Sequence, residues 1–350
     1  MNGKRLLGLS AIGLASLFAL LGASQKAGAT YPGTNTVKIA FSRYTYGGPV
    51  RKEIWIVNPN GRGLRRITTA PANYYLDYDP SWSPDGSKLL FSRCAKLCDG
   101  VWSIWSVDRD GSRLQLLSPV CSPGASTPTP ACPNDSQASY SPDGRHIVDL
   151  RFDGAVMGIV IADSDFQNPH EMFPFGTTHP PGGIDAVAWS PDGTRLAFTV
   201  NNVGRDPQLP ANGEAVYTIE IDGTGLHRVT AWRLHAGGVG ELAWSPNGKR
   251  ILFRSVRGSA NEPNLAPGNI YAIRPNGTGL RQLTHFPIGT GIQLGSYSPN
   301  GRKIVFSTTS GATLGRSSDW PDLFTMNADG SHIRHLTRTK NWEGTAAWGK

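Results

Sequence analysis

Short apolar segments alternate with tight-turn signals along nearly the whole chain, and the same pattern returns about every fifty residues. Five segments have the form aromatic-Ser-Pro-Asp/Asn-Gly, and they begin at Trp82, Tyr140, Trp189, Trp244 and Tyr297. Pro presets φ for the second position of a type I turn, and Gly accepts the left-handed conformation that returns the chain as a hairpin. Each segment therefore predicts a tight turn between two antiparallel strands.

The strand after each turn starts with a polar, usually basic residue and continues as an apolar run. In four copies this run ends in Phe91, Phe198, Phe253 or Phe306, whereas Asp149 stands at that place in the other copy. A second hairpin follows, with an Asp-Gly or Asn-Gly turn at Gly61, Gly111, Gly223, Gly277 and Gly330. Most units then close with an apolar residue and a Thr or Ser. Two hairpins give four strands in each unit.

Four-stranded units at this spacing are typical of the blades of an all-β propeller. The segment Ala346-Ala347-Trp348 has the form of a first strand without its partner, and the segment 38–42 that of a second strand without its first. Joined, they rebuild one unit and leave no long open edge. We therefore predict a six-bladed β-propeller of four-stranded antiparallel blades, with the first blade closed by both chain termini.

The Trp-Ser-Pro-Asp-Gly turn and the second Asp-Gly turn resemble the WD40-like repeat of the TolB-like six-bladed propeller family. The resemblance covers roughly residues 33–350 and implies the fold, but it says little about function, since unrelated proteins share such propellers. TolB proteins also carry an N-terminal α/β domain before the propeller. We expect no such domain here, so partner contacts made through that region are not implied for this chain.

The N-terminus has the features of a secretory signal peptide. Lys4 and Arg5 precede the apolar run 6–23, and Ala27-Gly28-Ala29 forms a small-residue cleavage site. We predict a cleaved signal peptide at 1–29, a single propeller domain at 30–350, and a periplasmic or secreted mature chain without a transmembrane segment. An uncleaved membrane anchor is the alternative.

The net charge of +8 falls to +5 when Lys4, Arg5 and Lys26 leave with the predicted signal peptide. The remaining charge is spread over the chain, with no run of five like charges. We therefore expect no nucleic-acid partner. A mildly basic exported protein suits anionic envelope polymers or lipid head groups at least as well.

All four cysteines fall in one short stretch, and an exported chain meets an oxidising compartment. They are Cys94, Cys98, Cys121 and Cys132. Four cysteines allow three pairings, and we favour Cys94–Cys98 with Cys121–Cys132 because each pair closes a local loop. A zinc site is the alternative, although its usual Cys-x-x-Cys knuckles are missing.

Acidic or amide side chains stand just before the aromatic anchor of each unit, on the strand predicted to line the central tunnel. They are Asp77, Asp79, Asp135, Asp185, Glu241, Gln293 and Glu343. The long connections 43–52, 93–101, 120–135, 201–214, 257–268 and 310–322 are expected at the same end of the strands, where function is usually found. We predict a binding site for a cation or a basic peptide at this tunnel mouth. Ordinary solvated or turn-capping carboxylates are the alternative interpretation.

Recognisable catalytic motifs are missing: there is no Gly-x-Ser-x-Gly elbow, Walker loop or His-Glu-x-x-His segment. The sequence favours a non-enzymatic scaffold that binds a protein, a peptide or another envelope component through its long-loop face. One alternative is a metal-dependent lactonase or glycan lyase with a carboxylate site at the tunnel mouth. Another is a carbohydrate-binding module that uses Tyr44, Tyr46, Trp232 and Trp320. No cofactor is required by the scaffold hypothesis; oxygen ligands would select Ca²⁺ if an ion binds.

Overall fold

Strands are the regular elements of this chain in the computed structural model, and no α-helix occurs in the part of the chain that it describes. The described residues are 37–45, 51–70, 75–94, 101–119, 129, 132–154, 157–172, 183–202, 213–232, 241–256, 268–287, 290–308 and 320–349. Within these ranges no helix is long and apolar enough to cross a membrane. The predicted signal peptide at 1–29 lies outside them and stays a prediction.

Four sheets contain four antiparallel strands each, and in every one the strands follow one another in chain order. The first holds β8 Asn134–Tyr140, β9 His146–Phe152, β10 Met157–Asp163 and β11 His170–Met172. The second holds β12 Ile184–Trp189, β13 Arg195–Asn202, β14 Gly213–Glu220 and β15 His227–Arg228. The third holds β16 Leu242–Trp244, β17 Ile251–Val256, β18 Gly268–Ile273 and β19 Arg281–Gln282. The fourth holds β20 Ile292–Tyr297, β21 Lys303–Thr308, β22 Asp322–Asn327 and β23 Arg334–His335.

The other eight strands form one sheet that consists of two antiparallel groups. One group holds β24 Trp342–Trp348, β1 Ile39–Tyr44, β2 Lys52–Val57 and β3 Arg65–Arg66. The other holds β4 Leu76–Trp82, β5 Lys88–Cys94, β6 Ser103–Asp108 and β7 Gln115–Leu116. A single parallel residue pair, Lys52 with Leu76, joins the two groups. Strand β1 runs antiparallel to β24, with Ile39 opposite Trp348, so strands from opposite ends of the sequence lie side by side.

The Ser-Pro-Asp/Asn-Gly segments form the predicted tight turns. In the turn from β12 to β13, the Ser190 hydroxyl donates to Asp192 at 2.6 Å and accepts from the amide of Arg195 at 2.9 Å. Gly193 has φ of +72°, where a side chain would be strained. The same serine bonds recur at Ser83, Ser141, Ser245 and Ser298. Local hydrogen bonds therefore fix this hairpin in all five copies.

The hydrophobic core lies largely between neighbouring sheets. Phe91, Phe198, Phe253 and Phe306 are fully buried. In one cluster Ala197 and Val216 from one sheet pack with Trp244 and Phe253 from the next. Burying a Phe side chain stabilises the fold by about 1.5–3 kcal/mol. Neighbouring units are therefore held together by shared apolar clusters.

A buried hydroxyl at the end of most units ties the outer strand to the sheet. Thr68 accepts from the amide of Ile54 at 2.9 Å, and Thr230 accepts from the amide of Val216 at 2.9 Å. Equivalent bonds are made by Ser118, Thr284 and Thr337. The apolar-Thr/Ser ending that recurs in the sequence therefore satisfies a buried backbone donor.

Cys94 and Cys132 each take part in a disulfide bond in the structure. Cys98 and Cys121 lie outside the described residues. The pairs Cys94–Cys98 and Cys121–Cys132 therefore stay a prediction.

Candidate functional site

The seven predicted site residues occupy different positions relative to the aromatic anchor of their units. Asp77, Asp135 and Glu343 stand five residues before Trp82, Tyr140 and Trp348, whereas Asp79 and Glu241 stand three residues before Trp82 and Trp244. Asp185 and Gln293 stand four residues before their anchors. The structure gives these positions different partners, so the residues do not form one ring.

Asp77 is fully buried on β4 and is held by side chains from two strand groups. The guanidinium of Arg93 donates to both carboxyl oxygens, at 2.6 and 2.9 Å. The hydroxyl of Thr68 donates to the same carboxylate at 2.6 Å. Through Thr68 and Arg93, this carboxylate links two neighbouring groups of strands. Both of its oxygens are occupied, and its charge is balanced by Arg93.

Asp135 is also fully buried and is paired with an arginine of its own sheet. Arg151 donates to its two oxygens at 2.7 and 3.0 Å and to Glu171 at 3.0 Å. Asp149, on the same sheet, is fully buried and interacts with the charge of Asp135. In the described residues no donor reaches either of its carboxyl oxygens. Burial, reinforced by the charge of Asp135, raises the pKa of Asp149 well above its ordinary value. Burial beside the Asp135 carboxylate therefore favours the protonated form of Asp149.

Glu343 on β24 is, like Asp77 and Asp135, a fully buried acid that is paired with an arginine. Its carboxylate lies 3.5 Å from Nε of Arg43 and accepts from the hydroxyls of Thr337 and Thr339. Burial raises the pKa of Glu343 to about 7, although Thr337 and Arg43 oppose that shift. The pattern of Asp77 is repeated: an acid on the innermost strand meets an arginine from the second strand and a hydroxyl from the preceding unit.

Asp79 and Lys52 form a second environment where the two strand groups of the large sheet meet. Asp79 has φ of +51°, and burial raises its pKa to about 6, although Lys52 opposes the shift. The ammonium of Lys52 lies 3.6 Å from the ring centroid of Tyr78 and 3.5 Å from that of Trp342. Burial lowers the pKa of Lys52 to about 7. Both groups therefore titrate close to neutral pH, where small pH changes alter the charge of the pair.

Glu241 lies just before β16, and one of its carboxyl oxygens is buried without a partner in the described residues. Burial raises its pKa to about 8; Arg254 opposes this shift, and Asp79 adds to it. Arg254 itself donates to the backbone oxygen of Ile292 at 2.8 Å, while its Nε has no partner within the described ranges. Glu241 is therefore a half-buried acid whose neutral form is favoured at neutral pH.

Asp185 and Glu214 make a further acidic pair at the same strand ends. The side chain of Asn201 donates to Asp185 at 2.6 Å. Burial raises the pKa of Asp185, and burial together with Asp185 raises the pKa of Glu214 to about 8. Gln137 donates to the backbone oxygen of Asp185 at 2.7 Å, which links β8 to β12.

A central cavity of about 150 Å³ is bordered by several innermost strands. The residues three positions before the anchor, Asp79, Gln137, Glu241 and Thr345, all border it, and all four have positive φ between 45° and 58°. Positive φ is unfavourable for side chains other than Gly, so the surrounding sheets must hold these residues in place. The cavity wall therefore carries two acids, from β4 and from the start of β16.

Gln293 does not border the cavity. Its side chain lies against Gly344, where an added Cβ would come within 1.9 Å of Oε1 of Gln293. Within the described residues no group of three or more His, Cys, Asp or Glu side chains is arranged to hold a metal ion. Of the residues proposed for a sugar site, Trp232 is buried in the core and Trp320 is 40% exposed. Tyr46 lies outside the described residues.

Three charged residues of this region were not predicted from the sequence: Lys52, Glu214 and Arg254. Lys52 and Glu214 stand at the ends of the connections 43–52 and 201–214, so their position at the long-connection end of the strands could have identified them. Most residues of these connections lie outside the described residues. The long-loop face itself therefore remains an expectation.

The chain shares sequence with proteins named Tol-Pal system protein TolB. It is 27% identical over 161 residues to the protein from Nitratidesulfovibrio vulgaris. This matched segment covers 45% of this chain and 31% of that protein. The chain is 33% identical over 106 residues to the protein from Anaeromyxobacter dehalogenans. This second matched segment covers 30% of this chain and 20% of that protein. The crystal structure of TolB from Acinetobacter baumannii superposes with a TM-score of 0.68 at 18% identity, over 91% of this chain and 68% of that one. The fold is a TolB-like β-propeller.

No protein-family model matches the chain. The matched segments of this chain span 31% and 20% of the lengths of the two sequence relatives. What those whole proteins do is therefore evidence for a proposal about this chain and does not by itself establish its function.

Proposed function

We propose that this TolB-like propeller is an exported, non-enzymatic scaffold that binds a protein or peptide partner in the cell envelope through the long-loop face. The predicted signal peptide and the similarity to Tol-Pal system proteins support a periplasmic location, with secretion beyond the envelope as the other outcome of export. Catalytic motifs are missing from the sequence, which favours binding over chemistry.

The observation that carries the proposal is the pair of acids on the wall of the central cavity. Asp79 and Glu241 come from different sheets, and the charge of Asp79 adds to the raised pKa of Glu241. A lysine or arginine side chain from a partner would lower the pKa of both carboxyls and neutralise their charge. The neighbouring rings of Tyr78 and Trp342 already hold one ammonium, that of Lys52. The region therefore has the chemistry to accept a basic peptide segment.

We also propose that the propeller has six blades and that the first blade is shared between the two ends of the chain. The pairing of β1 with β24 supports this arrangement. The link between the two groups of the eight-stranded sheet is one residue pair, which is the weak contact expected between separate blades. A closed ring would keep the cavity wall rigid, so a partner would meet a preformed site.

A hard cation such as Ca²⁺ is a second proposed occupant of the space between Asp79 and Glu241. Carboxylate oxygens are ligands that Ca²⁺ accepts, and backbone oxygens or water would have to complete its shell. Millimolar Ca²⁺ should then raise the melting temperature by mass action. An unchanged melting temperature in wild type would remove Ca²⁺ from the proposal without affecting peptide binding.

The partner experiment compares mature wild-type protein with the Asp79→Asn/Glu241→Gln variant. Envelope extract is passed over each protein, and retained proteins are identified and then tested as purified partners by calorimetry. We expect the variant to bind the identified partner at least tenfold more weakly. The control is Asp222→Asn/Asp329→Asn, which removes two acids from exposed turns at the other end of the strands. A variant that keeps every partner with unchanged affinity would contradict the cavity as the binding site.

A further inference from the structure

A cleft of about 530 Å³ lies at the tight-turn end of the strands, between the sheet β12–β15 and the sheet β16–β19. Arg195, Lys249 and Arg274 contribute to its walls, and Glu220 is the acid among its lining residues. None of the three cations forms an ion pair with any described residue. The cleft therefore carries an excess of positive charge that the described part of the protein leaves unneutralised.

Two guanidinium groups converge at one edge of this cleft. Nη1 of Arg274 and Nη1 of Arg250 lie 3.2 and 3.3 Å from the point where a Cβ on Gly279 would sit. Arg250 also donates to the backbone oxygen of Gly279 at 2.5 Å. Two like charges held this close repel each other, and an oxyanion between or beside them would relieve that repulsion.

The residue that starts the second turn distinguishes this unit from the others. At the place of Arg274 the other units have an oxygen-bearing side chain, namely Asn58, Asp108, Asp163, Glu220 and Asn327. Only in the unit of β16–β19 does an arginine stand there. The basic charge is thus a local departure from the repeat and is not a general property of the fold.

A related cleft between β4–β7 and β8–β11 has the opposite charge. It measures about 320 Å³ and is lined by Lys88 together with Asp85 and Asp143. Asp85 and Asp143 belong to the repeated Ser-Pro-Asp-Gly turns. Both clefts lie at the tight-turn end of the strands between neighbouring sheets, and their linings differ in the sign of their net charge.

We propose that the cleft between β12–β15 and β16–β19 is a binding site for a small organic anion that carries phosphate or carboxylate groups. The planar guanidinium of Arg274 can bind such a group through two parallel hydrogen bonds, and Lys249 adds a compact charge. A cleft of this size accommodates a small molecule. The site is separate from the central cavity, so its test does not depend on the proposed scaffold function.

The probes are citrate for carboxylate and pyrophosphate for phosphate, titrated into the full mature protein by calorimetry at low ionic strength. We expect at least one probe to bind, with an affinity that falls as salt is added. The Arg274→Gln/Lys249→Gln variant should bind at least tenfold more weakly, while its melting temperature stays close to that of wild type because both side chains are exposed. Arg274→Lys keeps the charge without the planar group and should lie between the two.

The matched control is Lys88→Gln, which changes the cation of the related acidic cleft and should leave binding unchanged. Binding of citrate alone would identify a carboxylate ligand, and binding of pyrophosphate alone a phosphate ligand. The proposal is overturned if neither probe binds at about 10 mM, if the double variant binds as tightly as wild type, or if only a long polyanion such as dextran sulfate binds.

Discussion

Asp77 and Asp79 lie two residues apart on the same strand, yet they have opposite environments. Asp77 is fully buried and bonded to Arg93 and Thr68. Asp79 has a left-handed backbone, borders the central cavity and shares Lys52 with two aromatic rings. In a regular strand, residues i and i+2 point to the same face. A register shift between Tyr78 and Ser81 interrupts that alternation and separates the two carboxylates.

The other buried or half-buried acids of the described residues can also be divided into those paired with an arginine and those without such a pair. One set of acids, Asp77, Asp135 and Glu343, is paired with Arg93, Arg151 and Arg43 on the second strand of each group. Burial also raises the pKa of acids in this first set, but the other set, Asp79, Asp185, Glu214 and Glu241, has raised pKa values and forms no ion pair within the described residues. The first set stabilises the propeller, and the second is where a ligand could contribute charge.

The largest expected effect comes from removing the cation of a paired acid. Arg93→Met keeps the apolar stem but leaves the Asp77 carboxylate buried without its counter-ion, and we expect a loss of about 3–5 kcal/mol in the free energy of unfolding. Urea unfolding measures it. The control Arg113→Met removes a pair whose arginine is largely exposed and should change stability by less than about 1 kcal/mol. Equal losses in the two variants would mean that burial does not distinguish these pairs.

A smaller loss is expected when the hydroxyl that bridges two strand groups is removed. Thr68→Val leaves both the Asp77 carboxylate and the Ile54 amide short of one partner, which should cost about 2 kcal/mol. Thr230 is equally buried, but in the described residues its hydroxyl bonds only the Val216 amide. Thr230→Val should therefore cost about 1 kcal/mol in the same urea experiment. The reverse order would show that the carboxylate gains little from Thr68.

Replacing Asp149, a buried acid whose charged form is disfavoured by its surroundings, should stabilise the protein. Asp149 occupies the place of a buried Phe, and Asp149→Leu should raise the free energy of unfolding by about 1–2 kcal/mol at pH 7. An acid whose folded pKa is raised loses its contribution to stability as the pH increases, so the gain should be larger at pH 8 than at pH 4. Asp135→Leu is the control, because it removes the buried partner of Arg151, leaves only the more exposed Glu171, and should destabilise. A loss on replacing Asp149 would show that its interaction with Asp135 stabilises the fold by more than its desolvation costs.

The smallest effect concerns the cavity wall. Burial raises the pKa of Glu241 from 4.5 to about 8, so the stability it contributes at low pH is lost as the pH rises through this window. Glu241→Gln does not titrate. Its melting temperature should equal that of wild type at pH 4 and exceed it by about 2 °C at pH 9, as calorimetry can measure. The exposed-turn variant Asp222→Asn should show no such gain, and a pH-independent difference for Glu241→Gln would indicate a packing effect instead.

The sequence predicted the local features well. The five aromatic-Ser-Pro-Asp/Asn-Gly turns, the glycines with positive φ and the buried Phe of four units follow from rules that act within a few residues. The sequence also identified Asp149 as an exception. It did not identify Lys52, Glu214 or Arg254, because no motif marks a charged residue whose partner lies on another strand.

What the sequence by itself determined is the repeated hairpin unit and its turn chemistry, since a proline, an aspartate and a glycine at fixed spacing act on their own neighbours. Only the tertiary structure decided which acids are paired and which border the cavity. That outcome depends on an arginine sixteen residues away in the case of Asp77 and on strands from opposite ends of the chain in the case of Glu343. It also depends on a register shift within the strand, because such a shift changes the direction of every side chain that follows it.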